Sequence, residues 1–189
     1  AGVLLKTSGS LQQKATVTGE QAQKEVSTNI KVTNVVGYTQ DTSQNEIDAL
    51  ILTCQLASGS GDVKYDDIVL SYQEGDTYIS GISYGGILQL SDSLSYVYGN
   101  ASNQSKALFM IRRLKDKNPG SENTVLEPNE IIEIVYWLVD NSGTYLNTSN
   151  ALSPDDQFVV TVQPKAGQVT TVKKTVPSVI SQQYLTEWG

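Results

Sequence analysis

The chain has 189 residues, 39% of them hydrophobic and 17% charged, with a formal net charge of -7. That length suffices for one sizeable domain with a real core, and the acidic balance excludes nucleic acid as a partner, since phosphate binding requires a basic face. Histidine is absent, which removes His-based triads and the usual zinc sites, and no stretch reaches the roughly eighteen apolar residues of a membrane span.

Residues 1–29 carry no proline and, past Ser8-Gly9, are rich in Gln, Ala, Lys and Glu, which favour helix. Leu4, Ser8, Leu11, Ala15, Thr18, Ala22 and Val26 form a seam whose steps alternate mostly between four and three. Such a helix would run roughly 40 Å at about 1.5 Å per residue, longer than a small domain needs. Its seam is narrow and built of small residues, so it suits closely approaching backbones, and a lone helix of this kind needs partners. These seven residues are the expected assembly interface. The alternative is an amphipathic helix folded back onto its own domain. Gly9 and Gly19 each weaken the helix by about 1 kcal/mol relative to Ala. The abrupt apolar start AGVLL reads as the end of a longer hydrophobic run, so truncation upstream is expected.

From Ile30 the period changes to two. Ile30, Val32 and Val35-Val36 begin a strand, and TQDTSQNE is a polar loop. Ala49 to Ala57 is apolar enough for a central strand, and it holds the single cysteine, Cys54, as a small hydrophobe. After the turn Ser58 to Asp62 come DIVLSYQ and TYISGISY, joined by a hairpin turn at Glu74 to Asp76. Short strands follow at Ile87 to Leu90, Ser95 to Gly99 and Ala107 to Leu114. Past a loop with two prolines, Glu130 to Asp140 is the strongest strand, with Trp137 as a core aromatic. DQFVVTVQP and VTTVKKTVP close the set, and the tail SVISQQYLTEWG docks on the domain. About ten strands with turns every eight to twelve residues predict a mainly β fold, an immunoglobulin-like antiparallel β-sandwich over 30–189 behind the helix of 1–29.

Few residues suggest chemistry. Three sequons stand at Asn100, Asn103 and Asn147, in polar segments between strands. The loop from Asp116 through Asn118 to Glu122 places oxygen ligands at alternate positions, as hard-cation loops do, and the loop around Asp41 is a second oxygen-rich stretch. A structural Ca or Mg ion would be sought at Asp41, Asp116 and Asn118; no cofactor is required. The pairs Asp66-Asp67 and Asp155-Asp156 do not make a glycosidase, because adjacent strand residues face opposite ways while the reaction needs two carboxylates across a cleft. Tyr78, Tyr84, Tyr96 and Tyr98 read as core or cross-strand aromatics before they read as a sugar platform.

The stretch AGVLLKTSGSLQQKATVTGEQAQKEV, continued by IKVTNVVGY, resembles the archaellins, the filament proteins of archaeal flagella. FVVTVQPKAGQVTTVKKTVPSVI, with its Pro-x-x-Gly and later Val-Pro, resembles the end of that family's β domain. The resemblance implies a non-enzymatic structural subunit of an extracellular cell-surface filament, its helices bundled in the core and its β domains outside. Its implied partners are copies of itself, other archaellins, and motor and assembly proteins at the filament base. It also implies N-glycans on the outer face and, in some members, a structural metal ion in the β domain. An archaeal adhesion pilin and a secreted carbohydrate-binding β-sandwich are the alternatives. Intact-mass measurement on native filament protein is expected to exceed the polypeptide mass by the glycans at Asn100, Asn103 and Asn147; a mass equal to the bare polypeptide removes them.

Overall fold

In a computed structural model, the described residues are 28–94, 105–119, 123–140, 142 and 151–189. The expected helix and its seam, Leu4 to Val26, lie outside them, as do Asn100, Asn103 and Asn147. Among the described residues there are eleven strands: β1 (Ile30–Tyr38), β2 (Ala49–Leu56), β3 (Val63–Lys64), β4 (Ile68–Glu74), β5 (Thr77–Ile87), β6 (Leu108–Lys115), β7 (Val125–Leu126), β8 (Ile131–Trp137), β9 (Gln157–Pro164), β10 (Thr170–Thr175) and β11 (Tyr184–Leu185).

Nine strands form one sheet in the order β10-β9-β4-β5-β6-β8-β2-β1-β11, and β3 pairs with β7 in a separate two-stranded ribbon. The mainly β expectation holds. The antiparallel sandwich requires correction, because the ladder runs unbroken through all nine strands and the β5–β6 pair is parallel. A parallel pair needs a crossover of a dozen or more residues. The connection 88–107 supplies that length, and the expected strand at Ile87 to Leu90 dissolves into it. There Leu88 N–H donates to the Ile111 carbonyl, and Gln89 and Asp92 close a turn on each other.

The end of the sheet where β1 begins is here called the base, and the opposite end the top. The sheet curls until β10 lies beside β1, both running from base to top, although the two are not ladder neighbours. Inside the curl, aromatic rings form a chain. Tyr72 meets Tyr136 at 6.0 Å and stacks on Phe158 at 6.5 Å, and Phe158 meets Trp188 edge-on at 5.3 Å. β2 and β8 are buried on both faces, with Leu50, Leu52, Ile134 and Tyr136 on one side and Ile51, Val135 and Trp137 on the other. That is why both read in sequence as continuous apolar runs rather than alternations. Trp137 is fully buried against Tyr38, as expected of a core aromatic. Cys54 is also fully buried, its thiol pushed far up by desolvation.

The tail docks. Leu185 and Tyr184 pair with Gly37 and Tyr38, Trp188 Nε1–H donates to the Val35 carbonyl at 3.0 Å, and Gly189 N–H reaches the Thr175 carbonyl. Gly37 makes room for it, since a Cβ there would stand 3.0 Å from both the Trp188 ring and Ile47 Cδ1. Gly37→Val is therefore expected to destabilise the domain by about 1–3 kcal/mol through overpacking. It should also expel Trp188 from the Phe158 contact, read as a red-shifted tryptophan emission. An unshifted spectrum at unchanged stability would refute the tail's docking mode.

Candidate functional site

Residues 28–30 lead into β1 at one corner of the base, and several hydrogen bonds tie that corner to the rest of the domain. Asn29 N–H donates to Ser60 Oγ at 3.0 Å, while the Ser60 hydroxyl donates back to the Asn29 carbonyl at 3.3 Å. The same carbonyl accepts Ala57 N–H at 2.9 Å. One residue earlier, the Thr28 carbonyl accepts Gln168 N–H at 3.1 Å. Thr170 completes the clasp: its hydroxyl donates to the Ile30 carbonyl at 2.5 Å, with Asn29 Oδ1 at 3.2 Å. Two loops and the first residue of β10 thus converge on three residues.

Gly167 lets this happen. A Cβ at that position would lie 2.3 Å from the Thr28 carbonyl oxygen and 2.8 Å from Pro164 Cγ. No side chain fits between the β9–β10 turn and the incoming chain. Reading the sequence singled out Pro164-x-x-Gly167 only as a likeness, and passed over Ser60 and Thr170. A Ser in a Gly/Ser turn and a Thr opening a strand carry no local sign of a partner more than 30 or 140 residues away.

Asp41 and Asp116 stand in separate loops at opposite ends of the sheet. Asp41 sits at the top, where its Oδ1 accepts Ser43 N–H at 2.9 Å and the Ser43 hydroxyl at 2.7 Å, capping a 3-10 turn over Thr42–Gln44. Those two bonds, the hydroxyl's foremost, hold its carboxyl below the usual range. Asp116 sits at the base, where its Oδ1 accepts Asn118 N–H at 3.0 Å and its Oδ2 lies 3.2 Å from Arg113 Nη1. The Asn118 N–H is the main cause of its lowered pKa. A guanidinium against the carboxylate occupies the place a cation would take. Among the described residues, no group of three or more His, Cys, Asp or Glu side chains could hold a metal ion. At these distances each carboxylate contacts its own turn and, for Asp116, also Arg113.

The other acidic residues also serve turns. Glu130 is buried and accepts Lys117 N–H at 3.0 Å and Glu127 N–H at 2.8 Å, tying two base loops together; burial raises its pKa, opposed by those two donors. Asp66 and Asp67 lie in the 3-10 turn Tyr65–Asp67, and Asp156 Oδ2 accepts Ser153 N–H at 2.8 Å. Tyr84 packs against Tyr65 and Phe109 rather than facing solvent, Tyr78 is exposed, and Tyr96 and Tyr98 lie outside the described residues.

The archaeal-type flagellin family matches residues 1–174. The chain belongs to that family. It is 25% identical to flagellin B4 of Pyrococcus abyssi, over 94% of this chain and 84% of that protein. With flagellin A2 of Haloferax volcanii it shares 26% identity, over 94% of this chain and 80% of the other. The crystal structure of archaeal flagellin FlaB1 from Methanocaldococcus jannaschii has the same fold, with a TM-score of 0.68 at 16% identity, covering 85% of this chain and 97% of that one. The archaeal flagellum of Methanospirillum hungatei aligns with a TM-score of 0.60 at 12% identity, over 97% and 86%. As a flagellin of the archaeal type, the chain is a structural filament subunit and not an enzyme. The family match stops before the tail, so β11 and Trp188 fall outside it.

For this flagellin, Gly167→Ala is expected to cost about 1–3 kcal/mol, because the added methyl collides with backbone rather than with a movable side chain. Gly61→Ala, where nothing lies within 4 Å, is the control. Urea midpoints of the two variants check this, and equal midpoints would dismiss the clasp as a structural constraint.

Proposed function

We propose that residues 1–29 form the assembly helix of an archaeal flagellar filament and that the β domain is its outer layer. In this reading Leu4, Ser8, Leu11, Ala15, Thr18, Ala22 and Val26 lie against the same seam on neighbouring copies. A seam of small residues gives close backbone approach, and a head-to-tail contact that does not close generates a helix of subunits. The observation that carries the reading is the clasp at Thr28, Asn29 and Ile30. A propeller subunit must pass torque between its packed segment and its outer domain, and a joint tied to two loops and to β10 does so without a loose linker. The partners are copies of itself, other flagellins of the family, and the motor and assembly proteins at the filament base. The filament stands outside the cell, glycans at Asn100, Asn103 and Asn147 decorate its outer layer, and no cofactor takes part.

Leu11→Asp or Ala15→Asp in the full chain is expected to abolish filaments in electron micrographs while leaving the β-sheet circular dichroism of the domain intact. Filaments of normal number and length from either variant would overturn the assignment.

A further inference from the structure

The connection from β1 to β2 ends in two buried acids. Residues 40–45 of that connection are exposed, as a surface loop should be, but Glu46 is only 5% and Asp48 4% exposed. Asp48 is provided for, since its Oδ2 accepts Gln40 N–H at 2.7 Å. Glu46 is not. Among the described residues nothing hydrogen-bonds or ion-pairs with its carboxyl, and the charged group that acts on it is Asp48, of the same sign. Burial first and Asp48 second hold its pKa above the ordinary carboxylate value. The other titratable side chains at this end of the sheet are engaged elsewhere. Tyr38 of β1 faces Tyr184 of the tail and Asp48, and Asp41 is held by Ser43 and Gln44 of its own turn.

The tail lies over this corner. Ile180 N–H donates to Asn45 Oδ1 at 3.1 Å, one residue before Glu46, and the Ile180 side chain is buried. Thr39 N–H donates to the Gln183 carbonyl at 2.8 Å, Gln183 Nε2–H donates to the Tyr38 hydroxyl at 3.3 Å, and the Tyr184 ring meets that of Tyr38 at 5.3 Å. On the other side Ile47 bridges to Leu152. Farther along, the same tail fastens the top of the sheet's open seam. Trp188 joins Val35 of β1 to Phe158 of β9, and Gly189 N–H bonds the Thr175 carbonyl of β10. The segment lying over an unpartnered buried carboxyl is therefore also the one that holds β1 against β9 and β10.

We infer that Glu46 is a proton-controlled catch for the C-terminal tail: residues 178–189 seat firmly over the neutral carboxyl, and its ionisation weakens the seat and loosens the top of the seam between β1 and β10. A neutral carboxyl is buried at modest cost, whereas an ionised one without a partner seeks water, and lifting the tail brings water to it. The direction follows from linkage. A carboxyl whose pKa is raised in the docked state holds its proton more tightly there than in the undocked state. Docking is then firmest below the ordinary glutamate pKa of about 4.3, weakens as pH rises through the raised value, and changes no further above it. Asp48 strengthens the response, because its negative charge opposes the ionisation of Glu46. The catch belongs to the β domain alone and operates whether or not copies of the chain polymerise.

Tryptophan emission of the full chain, followed between about pH 4 and about pH 8, tests the catch. Trp188 is carried by the tail, and Trp137 is fully buried in the sheet and gives a constant background. Emission of the unaltered chain is expected to shift to the red as pH rises, and that of Glu46→Gln to keep its acid position throughout. Asp48→Asn should move the midpoint of the shift to lower pH, since the like charge is gone. Emission of the unaltered chain that is independent of pH overturns the inference, as does an equal shift in Glu46→Gln. Should Glu46→Gln lose its β-sheet circular dichroism, Asp48→Asn decides: a lowered midpoint supports the catch, and an unmoved one overturns it.

Discussion

β10, one edge of the curled sheet, and β1, whose outer side β11 covers only at Gly37 and Tyr38, approach each other in parallel without forming a ladder, and the rest of the molecule is arranged around that unfinished closure. Closing a barrel requires strand tilt and register to agree all the way round. Here the ends are held by side chains instead. At the base the Thr170 hydroxyl bonds the Ile30 carbonyl, and toward the top Trp188 is seated on Phe158 and bonded to the Val35 carbonyl. Each end of the seam thereby does a second task. The base end fixes the entry of the N-terminal segment, and the other end completes the aromatic chain through Phe158, Tyr72 and Tyr136.

This arrangement suits a filament subunit. Catalysis would require convergent polar groups in an enclosed, dry pocket, and the carboxylates described here are spent on turns: Asp41 and Asp116 on their own loops, Glu130 on two loops at once. Around Thr28 the ties are hydrogen bonds to backbone, from Ser60, Ala57, Gln168 and Thr170.

Where the sequence reading departed from the fold, the cause was connectivity. An immunoglobulin-like antiparallel sandwich has no place for a parallel neighbour pair such as β5–β6. The parallel β5–β6 pair depends on the length of 88–107, and length alone does not say whether a loop returns to the same edge or crosses over. The two-sided burial of β2 and β8 left a trace in their unbroken apolar runs, but such runs fit either a sandwich core or the middle of a curled sheet. The oxygen-rich loops hold turn caps. Asp at the first position of a turn is chosen as often for the N–H two residues ahead as for an ion, and at Asp41 and Asp116 that N–H is what it meets.

The sequence by itself determined the class and most strand positions, because alternation and turn residues are local properties of the chain. It also determined the burial of Trp137 and Cys54, since both stand in runs too apolar for a surface. The family was legible in the opening residues and in the β9–β10 segment, and residues 1–174 match it. The tertiary structure alone decided which strands are neighbours, that the sheet curls and stops short of closing, and that Gly167, Ser60 and Thr170 grip the chain at Thr28 to Ile30. Those are contacts between residues far apart in sequence, and the strength of a hydrogen bond across such a distance depends on where the backbone has travelled, not on the identity of the residues at its ends.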